Sequence, residues 1–217
     1  MDFPAGFKEK YEKILGQEAE AFFATFDQDP ISAFRSNPLK ENQKDFTDAI
    51  PNTDWGYYGK VSGKSVEHVT GLVYSQEPAA QMVAQVAAPQ KGMKVLDLAA
   101  APGGKSTHLL SYLKNTGLLV SNEINAKRSK ILVENIERFG ARNVLVTNES
   151  AERLAKVFSS FFDLIVLDAP CSFRAILISL FWMLLALAKE CFASSQMLLN
   201  IGVRNILPSV RVCNEKF

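Results

Sequence analysis

Eight consecutive residues, Ala99-Ala100-Ala101-Pro102-Gly103-Gly104-Lys105-Ser106, hold the densest chemical signal in this sequence. Small side chains let a backbone come close to a ligand. A helix that starts at such a turn offers free N–H groups with partial positive charge. A carboxylate or a phosphate suits that place equally. Glu123 stands roughly 20 residues past the turn, the spacing at which a carboxylate takes ribose hydroxyls in dinucleotide folds. Asp168-Ala169-Pro170-Cys171 adds a second carboxylate and a thiol. A lone cysteine is more often a small buried hydrophobe than a reagent, but beside a ligand turn and a carboxylate Cys171 reads as a reactive thiol.

The elements that must position these groups follow from the hydrophobic pattern. Residues 94–98 read as a buried strand, and 118–122, 143–147 and 164–168 as three further strands. Helices are expected over 105–113, over 126–139 with Gly140 as its stop, and over 152–158. Strands alternating with helices imply an α/β fold with a parallel, doubly wound sheet, because parallel neighbours need right-handed crossovers. Ligands of such sheets bind beyond the carboxyl ends of the strands, so the turn, Glu123 and Asp168 should face one crevice. Upstream, residues 1–50 read as helical, with Phe7, Tyr11, Ile14 and Leu15, then Ala21, Phe22 and Phe26, at helical spacing. Pro30 and Pro38 interrupt that pattern. Residues 51–75, rich in glycine and tyrosine, read as turns and short strands, and Pro78 suits the first turn of a helix over 76–87.

On the residues alone, two ligands compete for the turn. Gly104-Lys105-Ser106 matches the end of a phosphate-binding loop, with Ala99 in place of its opening glycine and Asp168 closing an acidic strand. S-adenosylmethionine is the other candidate, and it uses what a phosphate loop leaves idle: Glu123 for the ribose and a thiol beside Asp168. A tight turn with no ligand is the plain structural alternative. A non-catalytic RNA- or ribosome-binding fragment built on residues 1–90 is a third class.

With 217 residues, 47% apolar and 22% charged, the chain can hold one sizeable domain or a domain with an appendage. A formal net charge of +1 gives no vote for nucleic acid, so any RNA-binding face must be a local patch. The three cysteines, Cys171, Cys191 and Cys213, are odd in number and show no Cys-x-x-Cys spacing, so neither a disulfide framework nor a zinc site is expected. A reducing, cytoplasmic setting fits. The first 13 residues include Asp2, Lys8, Glu9 and Lys10 and lack the apolar core of a signal peptide. Residues 175–188 are apolar except for Ser179 and are bracketed by Arg174 and Lys189. That run is short of the ~20 residues that span a bilayer, so it reads as a buried helix and no membrane is expected.

At these motifs the chain resembles the RNA 5-methylcytosine methyltransferases of the RsmF/Sun type, from about residue 5 to Ser172. The resemblance rests on Trp55-Gly56-Tyr57-Tyr58-Gly59, Val66-Glu67-His68-Val69-Thr70-Gly71 and Tyr74-Ser75-Gln76-Glu77-Pro78, which point to the bacterial ribosomal-RNA branch. It continues through Leu96 to Lys105, Asn122-Glu123 and Asp168 to Ser172. It implies a Rossmann-like class I methyltransferase sheet of about four parallel strands, incomplete, behind a small helical or α+β N-terminal domain. Residues 1–75 would form an RNA-binding-type domain, 76–172 the cofactor core and 173–217 a tail outside the family pattern. Ala99, Ala100, Ala101, Pro102, Gly103, Gly104 and Lys105 would line S-adenosylmethionine, and Glu123 would hold its ribose. Ser150 falls where many members place an aspartate near the adenine, so that contact would be weakened or rebuilt. Asp168 would reach both the cofactor and the target cytosine, and Cys171 would assist product release. RNA, most simply ribosomal RNA, is the implied partner, with no obligate protein partner.

In that family the attacking thiolate, needed because a neutral thiol is a poor nucleophile, sits in a later Thr-Cys motif. Here Cys191 follows Glu190 and Cys213 follows Val212. The glycine-rich stretch after Pro-Cys-Ser is absent as well. Residues 173–217 therefore read as the product of a truncated or frame-disrupted gene, and an intact locus encoding this same tail would refute that expectation. Without a fifth strand, the edge of 164–168 would lie unpaired and lower solubility.

Overall fold

A computed structural model describes residues 3–4, 6–41 and 45–168, together with the backbone of 196–199. Strands β4 (Lys94–Asp97), β5 (Leu118–Asn122), β6 (Val144–Thr147) and β7 (Leu164–Leu167) form the expected parallel sheet. The apolar runs of β4, β5 and β7 reflect burial on both faces, whereas β6 lies at the edge of the sheet with Leu145 44% exposed. Val95 and Leu119 pack with Leu109, Leu110 and Leu113 on one face. The next residue of each strand, Leu96 and Val120, turns to the other face and meets Leu154, Phe162 and Ile165. Each such side chain contributes about 1.5–3 kcal/mol on full burial.

Helices α4 (Pro78–Ala87), α5 (Gly104–Leu113), α6 (Ala126–Phe139) and α7 (Ala151–Val157) serve this sheet, with Pro78 in the first turn of α4. Asn125 starts α6 by accepting from the N–H groups of Lys127 and Arg128, and Gly140 ends it at φ 83°. The sheet order is β6-β5-β4-β7, with a fifth strand, β8 (Gln196–Leu199), beyond β7. From β4 the chain therefore winds outward through β5 and β6, then returns to the opposite side of β4 as β7. That reversal places the crevice where α/β sheets bind ligands beside the carboxyl end of β4.

Strand β8 (Gln196–Leu199) pairs in parallel with all four residues of β7, from Leu164↔Gln196 to Leu167↔Leu199. The expected unpaired edge at 164–168 is thus corrected: a segment of the tail supplies the fifth strand, and the aggregation argument built on that edge falls. Residues 175–188 lie outside the described residues.

The N-terminal part departs from the all-helical expectation for residues 1–50. Helices α1 (Phe7–Leu15) and α2 (Ala19–Ala24) hold only its beginning. Their aromatic residues Phe7, Tyr11, Phe22 and Phe23, with Phe26 just beyond α2, pack ring against ring and against Phe3. Strand β1 (Ala33–Ser36) follows, central in an antiparallel sheet of order β2-β1-β3 with β2 (Gly56–Tyr58) and β3 (Val73–Ser75). A four-residue strand between Pro30 and Pro38 is too short to show its alternation. Its partners, distant in sequence, supply the hydrogen bonds that local pattern could not announce. The small sheet is bound to the large one: Asn37 Nδ2 donates to Gly71 O and to Phe139 O at the end of α6, each at 2.8 Å. Lys40 Nζ donates to Thr70 O at 2.5 Å and to Arg138 O at 2.7 Å.

Candidate cofactor site

The turn from β4 into α5 is built as small residues require. Ala100 and Ala101 are buried, the Ala101–Pro102 peptide is cis, and Gly103 sits at φ 113° just before the helix. A Cβ on Gly103 would lie 3.2 Å from Leu132 Cδ1, in a backbone region that L side chains rarely adopt. The turn is pinned to the sheet by Ala100 N–H donating to Asn122 O at 2.9 Å and Leu98 N–H donating to Val166 O at 3.0 Å.

Its outer carbonyls are held by side chains from elsewhere. Arg128 Nη2 donates to Ala101 O at 2.6 Å, and Asn135 Nδ2 donates to Pro102 O at 2.7 Å. Arg35 Nη2 donates to Gly104 O at 2.8 Å.

Glu123 follows β5, next to the turn in the sheet order, and is 3% exposed. Its Oε1 accepts from Asn125 N–H at 3.0 Å, and its Oε2 lies 3.4 Å from Arg128 Nη1. Arg128 thus joins Glu123 to the glycine turn. Asp168 follows β7, on the other side of β4, and its Oδ2 lies 2.5 Å from Lys105 Nζ. The sequence-derived set Ala99 to Lys105, Glu123 and Asp168 is therefore gathered at one end of three adjacent strands, connected through two cations. Ser150 has a visible structural role, since its Oγ caps α7 by accepting from Arg153 N–H at 3.4 Å. Cys171 lies outside the described residues, as do Cys191 and Cys213.

One participant was not singled out from the sequence. Asp97, the last residue of β4, is 1% exposed. Its Oδ2 accepts from Ser106 Oγ at 2.7 Å, and Ser121 Oγ in turn donates to Ser106 at 3.0 Å. Its Oδ1 is buried without a hydrogen bond of good geometry among the described residues, although the nearby Ala99 N–H eases its charge somewhat. Burial pushes the Asp97 carboxyl up from 3.8 to about 6; Ser106 and Lys105 pull it back only in part, and Asp168 adds to the rise. A carboxylate at the end of the strand that enters a ligand turn was the available signal.

The sign of the resulting pH effect is fixed. A carboxyl whose folded-state value lies above its unfolded one binds its proton more tightly when folded. Its contribution to stability is full below pH ~4 and is lost as pH rises through about 6. Asp97→Asn should remove that slope and make the ligand-free protein more stable than the parent at pH 7.5, by at most about 3 kcal/mol. Urea unfolding at pH 4, 5, 6 and 7.5 reads this directly. Parallel curves for parent and variant would show that the Asp97 proton does not respond to burial.

Among the described residues no group of His, Cys, Asp and Glu could hold a metal ion, and no helix is long and apolar enough to cross a membrane.

Comparison with known proteins places the chain in a family. Residues 84–179 match the family described as 16S rRNA methyltransferase RsmB/F, and residues 3–78 match the N-terminal domain of 16S rRNA methyltransferase RsmF. Ribosomal RNA small subunit methyltransferase F of Shewanella loihica is 35% identical over 159 residues, covering 64% of this chain and 33% of that protein. The 26S rRNA (cytosine-C(5))-methyltransferase nsun-1 of Caenorhabditis elegans is 32% identical over 172 residues, covering 72% of this chain and 26% of that protein. The chain thus spans about a quarter to a third of the length of these two relatives. The crystal structure of a methyltransferase homolog protein from Pyrococcus horikoshii superimposes with a TM-score of 0.68 at 27% identity, covering 78% of this chain and 60% of that one. NSun6 from the same organism, solved with SFG, shares the fold at a TM-score of 0.69 and 18% identity, covering 89% of this chain and 75% of that one. Across residues 3–78 and 84–179 the chain belongs to the RsmB/F family of 16S rRNA methyltransferases, with an RsmF-type N-terminal domain ahead of the methyltransferase domain.

Proposed function

We propose that this chain binds S-adenosylmethionine at the turn between β4 and α5 and acts on RNA as a cytosine carbon-5 methyltransferase by family, with slow or no turnover of its own. The observation that carries the binding is the convergence of the glycine turn, Glu123 and Asp168 at the carboxyl ends of neighbouring strands, joined through Arg128 and Lys105.

The residues present fit the cofactor. Asp97 offers a buried carboxylate oxygen with no hydrogen bond of good geometry, suited to an ammonium group. Gly103 leaves the turn without a side chain at φ 113°, and the start of α5 suits a carboxylate. Glu123 has acceptor lone pairs for the two ribose hydroxyls. A nucleoside triphosphate at the same turn would leave Glu123 without a role and would set a second negative charge against Asp97. Ser150 retains a hydroxyl for the adenine side, and its capping bond weakens that contact.

When bound, the cofactor supplies an electrophilic methyl group; the chain's own residues supply placement and proton handling. Asp168, held by Lys105, orients the cytosine beside the turn. Cys171 assists release of the methylated base. Attack on carbon 6 of cytosine calls for a second thiolate, and neither Cys191 nor Cys213 stands in a Thr-Cys pair. In this reading residues 1–75 form the RNA-facing part, 76–172 the cofactor core and 173–217 a tail, and the protein works in the cytoplasm on ribosomal RNA.

Transfer of labelled methyl from S-adenosylmethionine to ribosomal RNA tests the reading. Stabilisation of the protein by the cofactor, with transfer at or near background, is the expected result. Robust 5-methylcytosine formation would show that a cysteine outside a Thr-Cys pair supplies the attacking thiolate, and no stabilisation at all would sink the cofactor assignment.

A further inference from the structure

The N-terminal sheet reaches the glycine turn through the Arg35 side chain. Arg35, on the central strand β1, is 0% exposed. Its Nε donates to Gln76 Oε1 at 2.6 Å, and its Nη2 donates both to Gly104 O and to Thr107 Oγ1, each at 2.8 Å. Its guanidinium lies over the Tyr74 ring, 5.4 Å from the centroid. Thr107 also donates to Gly103 O, so the same contact holds both glycines of the turn.

Burying a cation is costly unless it is paired, yet no carboxylate pairs with Arg35 among the described residues, and its Nη1 has no hydrogen-bond partner there. Burial lowers its pKa from 12.5 to about 9, with Tyr74 and Tyr112 opposing the fall, so it is still charged at neutral pH. Gly56 is the cross-strand partner of Arg35, and a Cβ there would fall 2.3 Å from Gln81 Oε1. A structural filler in this seam could have been apolar. The planar fork is what lets one residue of β1 grip Gln76 and the first turn of α5 together.

We propose that Arg35 is a positioning residue for the glycine turn, through which the N-terminal sheet sets the shape of the cofactor loop and so the affinity for S-adenosylmethionine. The proposal rests on the cofactor assignment above. In it the N-terminal domain is more than an RNA-facing module, because it is part of the frame of the cofactor site. Lysine cannot replace arginine here, since an ammonium lacks the fork that reaches all three acceptors.

Two measurements on parent, Arg35→Gln, Arg35→Lys and Thr107→Val separate the outcomes. Amide exchange at residues 103–107 without cofactor reads the grip on the turn, and calorimetric titration with S-adenosylmethionine reads its consequence. Both Arg35 variants should exchange faster at 103–107 while β5 and β6 keep their protection, and should bind the cofactor about ten-fold or more weakly. Thr107→Val should show the same pattern to a smaller degree, and it decides the matter if the Arg35 variants do not fold. Unchanged exchange at 103–107 in folded variants overturns the proposal, and so does unchanged affinity. If the parent itself fails to bind, the cofactor assignment falls separately, and loop exchange still decides whether Arg35 holds the turn.

Discussion

Replacing Glu123 by alanine is expected to lower S-adenosylmethionine affinity by about a hundred-fold or more. A carboxylate that accepts from two ribose hydroxyls makes two charge-assisted hydrogen bonds, each worth about 1.5–3 kcal/mol. The side chain is already placed for those bonds. It is 3% exposed and held by Asn125 N–H at 3.0 Å and by Arg128 at 3.4 Å, so little ordering remains to be done on binding. Glu123→Gln keeps the shape and loses the charge, and should fall between parent and alanine. Fold stability should change little in both, because Arg128, the cation left behind, is 53% exposed and can turn to water. Calorimetric titration of the three proteins checks this. An alanine variant within about three-fold of the parent would mean that the ribose lies elsewhere.

A large loss of stability should come from Gly71→Ala. Gly71 sits at φ 70°, and a Cβ there would lie 2.0 Å from the backbone oxygen of Arg138. That obstacle is backbone, not the flexible end of a side chain. It can be relieved only by moving the end of α6 away from the segment that follows α3 (Val66–Val69). Such a movement would break the bonds of Asn37 to Gly71 O and Phe139 O, and those of Lys40 to Thr70 O and Arg138 O. Left-handed backbone costs an alanine about 1 kcal/mol, and overpacking adds about 1–3 kcal/mol, for a total of about 3 kcal/mol. In a domain of this size that lowers Tm by roughly 6–12 °C. Differential scanning calorimetry measures it. A Tm within about 1 °C of the parent would show that the seam yields without cost.

The parallel sheet and most of the site were legible because their signals are local. The glycine turn and Glu123 stand at strand ends, and each strand carries a short apolar run; Asp97, the last residue of one such run, passed as part of the strand. Asp168 was legible for the same reason, at the end of a fully buried strand. The residues that steady these groups were not. Arg128 and Asn135 lie on α6, where cations and amides ordinarily read as a solvated face. Only the path of the chain brings them onto the carbonyls of Ala101 and Pro102. Arg35 was hidden twice over, inside a stretch whose neighbours have helical spacing and opposite an acceptor 69 positions away. Strand β8 comes from a segment that follows no family motif, and its pairing with β7 depends on tertiary placement alone. Ser150 was chosen by correspondence with an aspartate. Its hydroxyl is first of all a helix cap, the role that serine before a helix commonly takes.

The claim at the centre is that one crevice grips a sulfonium nucleoside with a small-residue turn and a carboxylate acting together. Its most direct test is an equilibrium titration of the intact chain with S-adenosylmethionine and, separately, with magnesium ATP. Saturable binding of S-adenosylmethionine, competed by S-adenosylhomocysteine and lost in Glu123→Ala, with no binding of magnesium ATP, is the predicted result. Binding of magnesium ATP that Glu123→Ala leaves intact, with no uptake of S-adenosylmethionine, would contradict it.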